Sequence, residues 1–129
     1  MQQRRKLDTS RVAKIVWIVA LTLLSGYTDS LGFVHSARVW ANGKFVWGEA
    51  ARSALGYALG AVTYWWAIKY LNEFGIVSPE IQTLGWFVVT IAGVALLSGD
   101  FFHWPLADRG VAVGILLGFG WLVVRSRGG

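Results

Sequence analysis

Residues 23–35 read LLSGYTDSLGFVH and place an aspartate and a histidine at the end of a long apolar run. A charged side chain near the bilayer centre costs about 2.5–3.5 kcal/mol on insertion scales, so it usually faces protein or water. Residues 96–103 read LLSGDFFH and repeat the pattern, again with an aspartate and a histidine. The candidate ion-, proton- or substrate-binding residues are therefore Asp29, His35, Asp100 and His103.

The composition favours a membrane protein. Of the 129 residues, 55% are hydrophobic and 15% are charged, and the mean hydropathy is +0.51. The apolar residues form continuous blocks close to the ~20 residues that cross a bilayer, whereas a soluble domain would interrupt them at helical or strand period. The first block exceeds the roughly 7–15 apolar residues of a signal peptide, so we expect a retained helix. We therefore predict an all-α membrane protein, a bundle of four transmembrane helices.

Four apolar segments predict the positions of the helices, and the basic residues predict their orientation. Eight lysines and arginines fall on segments that would be inside and four on segments that would be outside, which places both termini in the cytoplasm. We expect a multi-pass protein of the cell membrane, plasma or inner. The predicted transmembrane domain is 14–124, between a basic cytoplasmic segment (1–13) and a cytoplasmic tail (125–129), with helices at about 14–34, 49–71, 81–102 and 108–124.

The two halves of the chain share a pattern that predicts two parallel helix-hairpin repeats. Each half has a helix that ends in the Leu-Leu-Ser-Gly pattern, then an acidic residue near an arginine, then a helix with a GxxxG motif. Two helices per unit return the second copy in the direction of the first. The aspartate and histidine are six residues apart in one copy and three in the other, so a chance match stays an alternative.

Pairs of glycines four residues apart predict where helices approach each other closely. Such contacts would lie inside the bundle or between protomers. We expect helices one and three to face each other, and the two glycine-rich helices to do the same. The predicted packing glycines are Gly56 and Gly60 in helix two and Gly114 and Gly118 in helix four.

Asp29 is the strongest candidate site because it lies deeper in its helix than Asp100. A buried carboxylate can bind a cation or carry a proton, and an imidazole with an unperturbed pKa of about 6.5 can relay that proton. The alternative is an interfacial aspartate that pairs with Arg38 or Arg52 or reaches headgroup water. Glu49 and Arg52, one helical turn apart, predict an ion pair at the outer rim or a charge gate over Asp29.

Several classes of chemistry have no motif in the sequence. It contains no cysteine, P-loop, nucleophile elbow, HExxH pair or dinucleotide-binding fingerprint, so we expect neither an enzyme nor a metal site. The basic residues behind the net charge of +5 lie mostly beside the predicted helices, which indicates lipid headgroups rather than nucleic acid. We expect no cofactor. The alternative is a b-type haem, because His35 and His103 lie at similar depth on two predicted helices.

The segment SGYTDSLGF, residues 25–33, resembles the first-helix motif of a family of uncharacterised bacterial membrane proteins, the YoaK-like family. The resemblance covers nine residues and implies a membrane location without implying an activity. Proteins of that family are larger and have more helices. Small multidrug transporters share the size and the four helices, but they are expected to carry a glutamate in the middle of helix one, which this sequence lacks.

Three functions are compatible with these features. The first is a small ion- or proton-coupled transporter or channel-like protein that uses Asp29, assisted by His35. The second is a non-catalytic accessory or structural subunit of a larger membrane complex, held by the glycine faces and tryptophans. The third is a haem-binding electron-transfer subunit. Four short helices enclose little volume, so we expect partners besides the lipid bilayer, either a homo-oligomer or other membrane subunits.

Overall fold

The structure is a computed structural model that describes residues 2–126, and its main elements are four α-helices. A hairpin of two short strands joins the first two helices, and a 3-10 helix lies between the last two. The predicted all-α class is confirmed apart from this hairpin. The elements are α1 (Gln2–Ser36), β1 (Trp40–Ala41), β2 (Lys44–Phe45), α2 (Trp47–Glu73), α3 (Pro79–Ser98), the 3-10 helix (Asp100–His103) and α4 (Leu106–Ser126).

α1 is longer than the apolar block that predicts it. It begins at Gln2 and includes most of the basic segment 1–13. No glycine or proline interrupts residues 2–25, and the arginines, lysine and glutamines near the start are good helix formers. The helix therefore extends beyond the apolar run, and the basic segment is its first part rather than a separate lead.

α3 ends at Ser98 because Gly99 takes a left-handed conformation (φ 74°), which is a common way to stop a helix. The residues that follow form the 3-10 helix. The prediction that the third helix continues to about residue 102 is corrected by this early end. The two Leu-Leu-Ser-Gly stretches also differ in structure, since Asp29 lies within α1 whereas Asp100 lies beyond α3.

The hairpin between α1 and α2 turns at Asn42 and Gly43, which both have positive φ (51° and 74°). Positive φ at both central residues is the requirement of a type I′ turn, for which Asn-Gly is a favoured sequence. Trp40 and Phe45 pair across the two strands with their ring centroids 5.3 Å apart. This tight turn lets α2 return directly along α1.

An ion pair and a histidine–carboxylate hydrogen bond show that α2 runs antiparallel to α1. Lys14 Nζ lies 2.8 Å from Glu73 Oε2, which joins the first half of α1 to the end of α2. At the opposite end of the pair, His35 Nδ1 lies 2.7 Å from Glu49 Oε2. The two helices therefore stay in contact along most of α2.

α3 packs against the other side of this pair and runs parallel to α1, since Gly26 lies against Val89 and Ser30 lies against Gly93. The contact between helices one and three agrees with the sequence prediction. The predicted contact between the two glycine-rich helices is wrong, because α4 packs chiefly against α3 and no comparable α2–α4 interface forms within residues 2–126. Small residues of α1 fit both neighbours closely, so α1 takes the central place and α4 is left at the edge.

The distribution of side chains is the reverse of that in a soluble protein. The buried residues include three serines, a threonine and an aspartate, with only Leu21 and Ala67 as buried hydrophobic residues in the described part of the chain. Large apolar side chains point outward instead, for example Trp17 (55% exposed) and Leu117 (70% exposed). Soluble proteins bury such residues, whereas membrane bundles pack on small and polar contacts and expose apolar side chains to lipid.

Two helical segments are long and apolar enough to cross a membrane, namely Asp8–Ser36 of α1 and all of α3. Only 6% of the apolar window of α3 is buried, so this helix is not the covered core of a soluble domain. Length, composition and outward-facing apolar side chains together favour a membrane environment for the chain.

Candidate functional site

The carboxylate of Asp29 lies at the junction of three helices. Its side chain belongs to α1, is only 3% exposed, and faces both α2 and α3. From α3, Trp86 Nε1 donates a hydrogen bond of 2.6 Å to Asp29 Oδ2. On the α2 side the carboxylate fills the space beside Gly60, where any Cβ would overlap it.

Three buried serine hydroxyls tie the same helices together. Ser25 Oγ donates to the carbonyl oxygen of Gly60 (2.8 Å). Ser30 Oγ lies between two acceptors, the carbonyl oxygen of Gly26 in its own helix (2.5 Å) and that of Thr90 in α3 (3.1 Å). Ser53 Oγ of α2 donates in the opposite direction, to the carbonyl oxygen of Gly32 (2.8 Å). Each hydroxyl therefore has an acceptor, which removes most of the cost of burying it. We call Ser25, Asp29, Ser30, Trp86 and Thr90 the Asp29 cluster.

The Asp29 cluster contains a carboxylate but no positive charge. Among the described residues, no lysine, arginine or histidine forms a hydrogen bond or ion pair with Asp29. The alternative prediction, a pairing with Arg38 or Arg52, is therefore not met, and Arg52 pairs with Glu49 instead. A buried carboxylate with only neutral donors is costly in its charged form, so it is suited to holding a proton or a small cation.

His35, Glu49 and Arg52 form a separate group at the end of the α1–α2 pair. Glu49 lies between the other two, with one oxygen 2.7 Å from His35 Nδ1 and the other 3.1 Å from Arg52 Nη1. His35 is six residues further along α1 than Asp29, a distance of about 9 Å along a helix, and is not bonded to it. A gating role for this group stays a prediction.

The second predicted pair lies apart from the first. Asp100 and His103 are exposed residues of the 3-10 helix, and His103 Nδ1 lies 3.1 Å from the carbonyl oxygen of Gly99. In the part of the chain that the structure describes, no hydrogen bond or ion pair joins either residue to Asp29 or His35. The second aspartate–histidine pair therefore belongs to a surface turn and not to the buried site.

Metal and haem ligation gain no support from this arrangement. Within the described residues, no three histidine or acidic side chains are grouped so that they could hold a metal ion. Neither histidine lines the cavity that opens nearby. The pair of axial histidines that the haem alternative requires is thus not assembled around a suitable space.

The four predicted packing glycines divide into two groups. A Cβ at Gly56 would lie 2.7 Å from the backbone nitrogen of Gly32, and a Cβ at Gly60 would overlap Asp29. Gly56 and Gly60 therefore lie at the closest contacts of α2 with α1. A Cβ at Gly114 or Gly118 of α4 would have no other part of the described chain within 4 Å. For these two glycines a contact inside the bundle is therefore not seen, and a contact between protomers stays a prediction.

A cavity of about 670 Å³ opens between the C-terminal ends of α1 and α3 and the 3-10 helix. Its wall is mostly apolar and includes Phe33 of α1 and Phe87 of α3, with Arg38 and Asp100 among its few charged residues. Thr90 belongs both to this wall and to the Asp29 cluster, and its hydroxyl oxygen is buried with no hydrogen-bond partner among the residues described. The cavity and the polar site are therefore neighbours across one turn of α3.

Four residues of the Asp29 cluster were not among the candidates predicted from the sequence, namely Ser25, Ser30, Trp86 and Thr90. A helical wheel of α1 could have found the serines, since Ser25 and Asp29 are four residues apart and lie on one face. No protein-family model matches the chain, and comparisons with curated proteins and with solved structures found no match.

Proposed function

We propose that the protein is a four-span membrane protein of the cell membrane with both termini in the cytoplasm, and that Asp29 is the proton- or cation-binding site of a small transporter. The observation that carries the proposal is a carboxylate that is 3% exposed and has no positively charged partner among the described residues. Ionisable groups inside a membrane bundle are costly, and they commonly mark ion paths or proton relays. No catalytic activity is part of this proposal.

The Asp29 cluster can stabilise both protonation states of the carboxyl group. In the ionised state, Oδ2 accepts from Trp86, and the Ser25 hydroxyl becomes a second donor when it turns from the Gly60 carbonyl to the carboxylate. In the protonated state, Oδ1 can donate to the Ser25 oxygen, which itself donates to the Gly60 carbonyl. Because Asp29 is sealed between three helices, exchange of its proton requires α2 or α3 to move away from α1. In a homo-oligomer, the moving helix could separate along the interface between protomers and open a path for the proton there.

The four-span orientation is tested with single cysteines, because the natural sequence has none. We expect a membrane-impermeant maleimide to label Lys44→Cys and Ala107→Cys in intact cells, since both positions are exposed and would lie outside. Val77→Cys, 66% exposed in the α2–α3 turn, should react only after the membrane is permeabilised. Labelling of Val77→Cys in intact cells, or of Ala107→Cys only after permeabilisation, would contradict the proposed orientation.

Proton binding at Asp29 is tested with Asp29→Asn, which keeps the shape of the side chain and an oxygen that can accept from Trp86. We expect infrared difference spectra between two pH values to contain a carbonyl band of the protonated Asp29 carboxyl group in the natural protein, and we expect this one band to be missing from the spectra of the variant. Proton uptake into protein-containing vesicles under an imposed pH gradient should fall to the level of protein-free vesicles.

The matched control for this experiment is Asp100→Asn, which removes an exposed carboxylate of the 3-10 helix. We expect this variant to keep both the infrared band and the uptake. Uptake that persists in Asp29→Asn, together with an unchanged infrared band, would overturn the proton-site proposal. If Asp100→Asn also lost both signals, the signals would not be specific to Asp29, and this result would contradict the proposal as well.

A second candidate function is the accessory subunit, and the open face of α4 favours it. Gly114 and Gly118 face no other helix within the described chain, and neighbouring apolar residues such as Leu117 (70% exposed) and Val111 (64% exposed) are uncovered. Glycine faces of this kind let a partner helix approach closely. If the protein is an accessory subunit, Asp29→Asn should be tolerated without loss of function. The same variant therefore separates the transporter proposal from the accessory-subunit proposal.

A further inference from the structure

The cavity between the ends of α1 and α3 has a mostly apolar lining of the kind that an acyl chain would contact. Its volume is about 670 Å³, which is within the usual range for a pocket that takes a small organic molecule. Aromatic and branched side chains form most of its surface. The apolar wall includes Phe33, Val34, Phe87, Ile91, Val94 and Ala95.

Two opposite charges line the same cavity without pairing. Arg38 follows α1 and Asp100 begins the 3-10 helix, so both lie at one end of the cavity, where the two helices stop. In the described chain neither residue has an oppositely charged group within 4 Å, and Arg38 attracts the Glu49 carboxylate only from a greater distance. Trp104 lines the same end, and tryptophan side chains are enriched at the depth of lipid headgroups. The charged end of the cavity is thus placed where a headgroup would lie.

We infer that this cavity binds one lipid molecule with a zwitterionic headgroup of ammonium and phosphate. The acyl chain would lie along the apolar wall, Arg38 would bind the phosphate, and Asp100 would bind the ammonium. Arginine is well matched to phosphate oxygens, and a carboxylate accepts hydrogen bonds from an ammonium group. An anionic lipid would satisfy Arg38 but would be repelled by Asp100. The inference rests on the membrane placement proposed above, but not on the proton-binding role of Asp29.

The inference is tested by lipid competition on the full-length protein. The purified protein is mixed with equal amounts of phosphatidylethanolamine, phosphatidylcholine and phosphatidylglycerol with identical acyl chains, and native mass spectrometry measures the bound fraction of each. We expect phosphatidylethanolamine to be retained about two- to fivefold over phosphatidylglycerol, since exposed charge pairs are weak. Phosphatidylcholine should rank below phosphatidylethanolamine, because its quaternary ammonium cannot donate a hydrogen bond to Asp100.

Two charge variants and one filling variant locate the site. Asp100→Asn should remove the preference over phosphatidylglycerol, and Arg38→Gln should weaken the binding of all three lipids. Ala95→Trp should fill the cavity and lower retention further, whereas Leu117→Trp on the open face of α4 should leave it unchanged. Because Arg38 and Asp100 are exposed, these two variants keep the test decisive even if Ala95→Trp does not fold.

The outcomes separate this inference from the proposal on Asp29. Retention of phosphatidylethanolamine that is lost in the charge variants supports the lipid site, whatever Asp29→Asn does to proton uptake. Equal retention of the three lipids overturns it, as does a preference for phosphatidylglycerol. A preference that neither Arg38→Gln nor Asp100→Asn changes, or one that Leu117→Trp reduces as much as Ala95→Trp, places the lipid elsewhere and also overturns it.

Discussion

Gly56→Leu is expected to lower the free energy of unfolding by at least about 3 kcal/mol, or to prevent folding. A Cβ at this position would lie 2.7 Å from the nitrogen of Gly32 and 2.8 Å from the carbonyl oxygen of Thr28. Both atoms belong to the backbone of α1 and cannot rotate away, so α1 and α2 must separate. Separation would also break the hydrogen bonds that Ser25 and Ser53 make across this interface.

The measurement is reversible unfolding in mixed micelles by titration with dodecyl sulfate, followed by the loss of helical circular dichroism. Gly114→Leu is the matched control, because it makes the same change within a helix where a Cβ meets nothing within 4 Å in the described chain. We expect this control to change the unfolding free energy by no more than about 0.5 kcal/mol. Equal destabilisation by the two variants would contradict the close α1–α2 contact.

Trp86→Phe is expected to cost about 2 kcal/mol of unfolding free energy, because it removes the donor of the 2.6 Å hydrogen bond to Asp29. Phenylalanine keeps most of the aromatic contact but leaves a buried carboxylate oxygen without its partner. A hydrogen bond to a charged group contributes about 1.5–3 kcal/mol, and the unpaired group adds its own cost. The same variant should therefore also disturb proton binding at Asp29.

The control for this substitution is Trp66→Phe, which makes the identical change at a tryptophan that is 61% exposed. The same unfolding titration should leave Trp66→Phe nearly as stable as the natural protein. Combining Trp86→Phe with Asp29→Leu gives a double-mutant cycle, and we expect a coupling energy of about 1–2 kcal/mol between the two positions. A coupling energy near zero would show that the hydrogen bond contributes nothing to stability.

These two expectations depend on the same property of the fold, which is that helices α1, α2 and α3 meet through glycines and hydroxyl groups. Lipid is as apolar as a leucine side chain, so burying leucine between helices gains little inside a membrane. Close backbone contact and satisfied hydrogen bonds must supply the attraction instead. Ser25, Gly60 and Trp86 join α1 to its neighbours and also contact Asp29, so part of the interface that stabilises the fold also forms the proposed site.

Local signals in the sequence determined where the helices lie. α2 begins at Trp47 and α3 begins at Pro79, each close to the predicted start, because a turn sequence or a proline precedes an apolar block. The choice of Asp29 as the leading candidate also needed only the sequence, since an acidic residue inside an apolar run is conspicuous wherever the run folds. Its burial and its contact with Gly60 were then supplied by the structure.

Only the tertiary structure decided which side chains surround Asp29 and which helices touch. Trp86 is 57 residues away in sequence, and its contact depends on how α3 is rotated against α1, which no local pattern specifies. Arg38 and Asp100 meet at one cavity for the same reason, because parallel packing of α1 and α3 aligns their ends. The two Leu-Leu-Ser-Gly stretches diverge at Gly99, where a single left-handed residue ends α3 and leaves Asp100 outside the helix. Apolar blocks fix what forms a helix, whereas the fit of small residues between helices fixes the arrangement.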